Sequence, residues 1–206
     1  MEKNSADIVP ALICIPDMTG FTRFMSETDI DFSRKVIPPL LQTIVNSNVL
    51  DLRLSEIEGD AVLFYRTGKM PSLKELVEQC KMFYIDFGYR LTKLKQLHAD
   101  DYKKHVSSSR LGLKIIVHYG EISLSPIGDR IKLFGEDVIT AHRLLKNNVP
   151  DQEYLLLTEK FLSNYSNEEI DELFHWGRLE SASDEYPHIG EIKYRYISLE
   201  SLFTTT

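Results

Sequence analysis

The stretch Ile8 to Ile15 (IVPALICI) constrains the fold most. It is short, apolar and rich in β-branched residues, as a strand buried on both faces is. It ends at the turn sequence PDMTGFT, and Phe21 to Met25 begin a helical pattern. Pro38-Pro39 interrupt that pattern, because an interior proline removes an amide donor and clashes with the turn before it. The expectation is a helix that restarts with the prolines in its first turn and runs to about Asn48.

Leu50 to Glu58 alternate as a half-exposed strand, Gly59-Asp60 make a turn, and Ala61 to Tyr65 return as its hairpin partner. Ser72 and Glu75 form a capping box ahead of a long helix, whose stripe Leu73, Leu76, Val77, Cys80, Tyr84, Phe87, Leu91 and Leu94 has helical spacing. Residues 98–109 are polar and read as a loop. Leu111 to Val117 read as a strand with Gly120 to Ser125 as its hairpin partner. A helix over Glu136 to Lys146, a strand over Tyr154 to Leu157, a helix over 159–174 and strands near Trp176–Leu179 and Ile192–Ser198 complete the reading. Hairpins interleaved with helices predict an α+β sandwich, a mixed and mostly antiparallel sheet covered by helices, in one domain over residues 1–206.

Composition narrows the function classes. The chain has 206 residues, 24 basic and 31 acidic, for a formal net charge of −7. That balance argues against a duplex-binding protein, which usually carries a basic surplus. No apolar run is long enough to cross a bilayer and the N-terminus lacks a signal pattern, so no membrane insertion and a cytoplasmic placement are expected. Cys14 and Cys80 lack zinc-ligand spacing and fall in apolar surroundings, as core thiols do.

Two carboxylates stand out by position. Asp17 follows the buried strand, and Asp60 lies in the turn of the neighbouring hairpin. If the strands are adjacent, both emerge at one sheet end, where paired aspartates suit Mg²⁺. Gly20, Phe21 and Thr22 open a helix whose free amides could receive a phosphate. Equally, Asp17 could be a helix cap and Asp60 a turn residue, roles aspartate favours. His118 and His142 lack the spacing of a zinc helix and read as structural. Trp176, Tyr186, Tyr194 and Tyr196 read as core and cross-strand packing.

Taken in order, PDMTGFT (16–22), EIEGDAVLF (56–64), VHYGEISL (117–124) and LFGEDVITAHRLL (133–145) resemble the successive motifs of class III nucleotidyl cyclases, the adenylate and guanylate cyclase catalytic domains. The resemblance covers about residues 15–160, with strands over about 173–200 completing the domain, and is nearest to divergent bacterial members. It implies a ferredoxin-like core and a head-to-tail homodimer. It further implies a nucleoside triphosphate as ligand, with Mg²⁺ or Mn²⁺ on Asp17 and Asp60. Arg143 would neutralise charge on the phosphate as a 3′,5′-cyclic nucleotide and pyrophosphate form.

Three positions depart from the family pattern. Ile139 stands where an asparagine contacts the ribose, and isoleucine forms no hydrogen bond. Glu56 and Lys132 stand where adenylate cyclases place a lysine and an aspartate to read adenine. Glu56 matches the guanylate cyclase glutamate, whereas Lys132 does not match the cysteine there. Glu56 and Lys132 could instead pair across the base pocket and block it. The alternative to an active cyclase is an inactive cyclase-fold dimer serving as a sensor or interaction module.

Overall fold

A computed structural model describes residues 8–105, 110–128 and 130–204. The expected α+β sandwich is present. Eight strands form one sheet in the order β2 (Arg53–Glu58), β3 (Ala61–Thr67), β1 (Ile8–Thr19), β4 (Gly112–Ile127), β6 (Tyr154–Thr158), β8 (Gly190–Ser198) and β7 (Glu180–Tyr186). β5 (Arg130–Phe134) pairs with the far end of β4. Only β4 and β6 run parallel among these pairs.

β1 is buried on both faces, as its composition predicts. Leu12, Cys14 and Met18 face a core shared with α1 (Phe21–Glu27), α2 (Ile30–Asn46) and α3 (Leu73–Leu97). Ala11, Ile13 and Ile15 face a second core beneath α5 (Glu136–Arg143), which contributes Val138 and Ala141. The period of two in a strand sends neighbours to opposite faces, so a sheet covered on both sides needs an unbroken apolar run. Cys14 and Cys80 are buried free thiols.

The α3 capping box forms as expected: Ser72 Oγ accepts from the Glu75 amide at 3.3 Å, and the Glu75 carboxylate accepts from the Ser72 amide at 2.8 Å. α2 differs from expectation, because it runs unbroken through Pro38 and Pro39. The carbonyls those prolines leave without an amide belong to Arg34 and Lys35 on the exposed face, where water can reach them. Phe32, Val36, Ile37, Leu40 and Ile44 hold the opposite face in the core.

β4 is one long strand, not a hairpin folded at residues 118–120. His118 and Tyr119 pair directly with Ile13 and Leu12 of β1, which keeps the chain extended through that region. The turn falls later, at Gly128 (φ +60°), and β5 returns from it. Residues 99–105 form a short helix, α4 (Ala99–His105), rather than a loop; residues 106–109 of that expected loop lie outside the described residues. The helix expected over 159–174 is two helices, α6 (Glu159–Leu162) and α7 (Asn167–Leu173), and the strand expected near Trp176–Leu179 is β7, displaced toward the C-terminus.

Candidate functional site

The β1 and β3 pairing brings Asp17 opposite Ala61, so Asp60 in the β2–β3 turn lies beside it. A backbone bond from the Met18 amide to the Asp60 carbonyl, 3.1 Å, ties the turn to the end of β1. Both residues thus lie at one end of the sheet, Asp17 on the α5 face that Ile13 and Ile15 also occupy. Asp17 is buried, and its pKa is pushed up to about 6, chiefly by burial; the Lys114 ammonium opposes this and the Asp60 charge adds to it. Burial also raises Asp60, against its own backbone hydrogen bond and Lys114.

Lys114 is a member of this cluster that the sequence reading passed over. It pairs directly with Asp17 across β1 and β4, and its Nζ lies 3.1 Å from Asp17 Oδ2. The same ammonium donates to the Leu145 carbonyl at 2.7 Å, in the single 3₁₀ turn Leu144–Lys146 that follows α5. The signal was a lysine inside the apolar strand LGLKIIV, where a charge needs a partner. Asp17 and Asp60 supply the hard oxygen donors that Mg²⁺ or Mn²⁺ takes, so the donor chemistry fits such an ion. Asp17 already holds a cation, the lysine.

Gly20 caps α1 at φ +76°, and a Cβ there would stand 2.4 Å from the Arg110 carbonyl oxygen. A close approach of backbone therefore requires this glycine. Phe21 packs against the larger core and Thr22 is exposed.

The remaining candidates line an open cleft of about 420 Å³, made by Glu56, Glu58, Lys132, Leu133, Val138, Ile139, His142, Arg143 and Lys146. Asp17 and Asp60 are not in its lining. Lys132 Nζ donates to Glu56 Oε2 at 2.5 Å, so the two departures from the family pattern are ion-paired across the cleft. That hydrogen bond raises the Lys132 pKa above its ordinary value. His142 Nε2 approaches the other Glu56 oxygen at 4.0 Å. Ile139 is 54% exposed, an apolar side chain facing solvent at the cleft. Arg143 is exposed in the last turn of α5 and has no ion-pair partner among the described residues.

A hydrogen-bond network centred on buried His118 anchors the helix that carries Arg143. His118 Nε2 lies 2.9 Å from Asp137 Oδ1, and its Nδ1 lies 2.9 Å from Thr158 Oγ1. The Glu121 amide and Lys160 Nζ also donate to Asp137, at 2.7 and 2.6 Å. Burial pushes Asp137 up, but the hydrogen bonds from His118, Lys160 and the Glu121 amide outweigh it and hold the carboxyl well below its usual range. His118 has the structural role expected of it. Tyr194 is buried with its hydroxyl 2.8 Å from Asp184, and Tyr196 meets Tyr154 edge-on at 6.4 Å, so these aromatics are packing residues.

Residues 37–154 match the family described as "Protein of unknown function (DUF2652)", which is more than half of the chain. "Uncharacterized protein Rv2561/Rv2562" of Mycobacterium tuberculosis is 28% identical over 160 residues, 78% of this chain and 72% of that protein. Among solved structures, the guanylyl cyclase Cya2 superposes with a TM-score of 0.62 at 12% identity, covering 93% of each chain. A bacterial light-regulated adenylyl cyclase superposes with a TM-score of 0.65 at 14% identity, over 94% of this chain and 52% of its own. At such identities the likeness shows the fold, an α+β sandwich of the cyclase catalytic-domain type. The chain belongs to the DUF2652 family.

Proposed function

We propose that this chain is a divergent class III nucleotidyl cyclase-like domain that binds a nucleoside triphosphate with Mg²⁺ or Mn²⁺ and converts it to a 3′,5′-cyclic nucleotide and pyrophosphate. The adjacency of Asp17 and Asp60 at one sheet end carries this reading, because two neighbouring acidic side chains, one of them buried, favour a cation. A divalent ion on these carboxylates would supply the Lewis acidity that activates a ribose 3′-hydroxyl. Gly20 to Thr22 would receive phosphate, and Arg143 would neutralise charge on the phosphate oxygens through its fork of N–H donors. Glu56 could accept from the N1–H and amino group of guanine once Lys132 releases it. A head-to-tail homodimer in which Arg143 serves the partner's carboxylates belongs to this reading; Arg143 lines the Glu56–Lys132 cleft, whose lining does not include the aspartates of its own chain. A bacterial, cytoplasmic protein fits this reading; no helix among the described residues is long and apolar enough to cross a membrane.

A second reading rests on the cleft. The Glu56–Lys132 pair and the exposed Ile139 favour an inactive cyclase-fold dimer that senses or docks a partner. Incubating the purified chain with each of four nucleoside triphosphates and Mn²⁺, with products resolved by mass, separates the two. A cyclic product that Asp17→Ala abolishes supports the enzyme. No product at high enzyme and long times removes it and leaves the module.

A further inference from the structure

The placement of Lys114 bears on how the aspartate site receives a cation. Its backbone lies directly opposite Asp17, and the two side chains extend on the same face of the sheet. The ammonium is held at two points, Asp17 Oδ2 at 3.1 Å and the Leu145 carbonyl at 2.7 Å. Neither side chain is open to water: 16% of the lysine and 9% of the aspartate are exposed. Asp60 differs, because it is half-buried and has no side-chain partner among the described residues.

A divalent ion on the Asp17 carboxylate would be drawn up against the ammonium that already occupies Oδ2. They would stand a few ångströms apart, and like charges in a partly dehydrated site repel strongly. The lysine also satisfies the charge of Asp17, which an ion would otherwise neutralise. We propose that Lys114 competes with a divalent cation for the Asp17 carboxylate, so that Mg²⁺ or Mn²⁺ binds there only by displacing the ammonium. The inference rests on the reading of Asp17 and Asp60 as metal ligands. It adds that the apo site is self-neutralised by a tethered cation, which sets the metal affinity. The Leu145 carbonyl is the retaining contact, and it couples Lys114 to the 3₁₀ turn directly after Arg143.

The test is Mn²⁺ binding to the full chain without nucleotide, read from the electron paramagnetic resonance signal of the free ion. Lys114→Met keeps the stem and removes the charge, and should tighten Mn²⁺ binding at least tenfold over wild type. Lys114→Arg keeps the charge and should stay near wild type. Adding Asp17→Asn to Lys114→Met should reverse the gain. Lys114→Gln serves in place of Lys114→Met if circular dichroism shows that the methionine variant does not fold. Equal Mn²⁺ affinity in wild type and the neutral variants, or a gain that persists without the Asp17 carboxylate, overturns the proposal. Nucleotide binding measured alongside separates the readings: retained nucleotide binding with unchanged Mn²⁺ affinity overturns only the competition. Loss of any nucleotide binding in wild type overturns the proposed function.

Discussion

Asp17 on β1 and Lys114 on β4 form a directly opposed cross-strand pair, with Oδ2 and Nζ 3.1 Å apart on the face beneath α5. Burial still dominates the carboxyl, whose pKa is raised from 3.8 to about 6. The folded state therefore binds this proton more tightly than the unfolded chain, and the ionised form costs stability above pH 6. Wild type should gain on Asp17→Asn by about 1.4 kcal/mol as the pH falls from 8 to 5, the gain continuing toward about 3 kcal/mol as the pH drops through 3.8. The variant also loses the Lys114 ion pair, so the change with pH, not the absolute difference, carries the prediction. Urea melts of both proteins at several pH values read the difference.

Gly120→Ala should be strongly destabilising. A Cβ there would stand 2.0 Å from the Asp137 carboxyl carbon, so the carboxylate that His118, Lys160 and the Glu121 amide hold must shift. Displacing it leaves buried His118 short of a partner, a loss of about 2 kcal/mol or more. Denaturant unfolding measures it, and a loss under 0.5 kcal/mol contradicts the geometry.

Arg143→Ala separates site from scaffold. The side chain is exposed, with no ion pair among the described residues, so stability should change by less than about 0.5 kcal/mol. On the proposed reading, nucleoside triphosphate affinity should fall roughly tenfold with the loss of a charge-assisted contact. Calorimetric titration beside a thermal melt gives both quantities.

Lys132→Ala should free Glu56 at the cleft. The pair is partly exposed, with 44% of the lysine and 20% of the glutamate open to water, so breaking it costs no more than about 1 kcal/mol. Guanine nucleotides should then bind up to about fivefold more tightly, with adenine nucleotides unchanged. Equal effects on both bases would count against Glu56 as a base reader.

Ser72→Ala removes one half of the α3 capping box and should cost about 1 kcal/mol, while the Glu56–Lys132 cleft stays unaffected. Thermal denaturation of this variant calibrates the others.

Local chemistry made much of this protein legible from its sequence. The apolar run of β1, the capping box of α3 and the Gly59-Asp60 hairpin each depend on neighbours a few residues away, and each is present. The convergence of Asp17 and Asp60 followed from those elements once adjacent strands were assumed. Long-range contacts decided the rest. Pro38 and Pro39 continue a helix because the buried face of α2 outweighs two missing hydrogen bonds. β4 runs straight past Gly120 because β1 pairs along its length and the Asp137 carboxylate needs the space a side chain would fill. Lys114 is a lone charge in an apolar strand; only the pairing of β1 with β4 and the turn at Leu145 make it the counter-ion of Asp17. Sequence periodicity reports which face a residue takes, whereas its partner on that face is chosen by strands and helices far away in the chain.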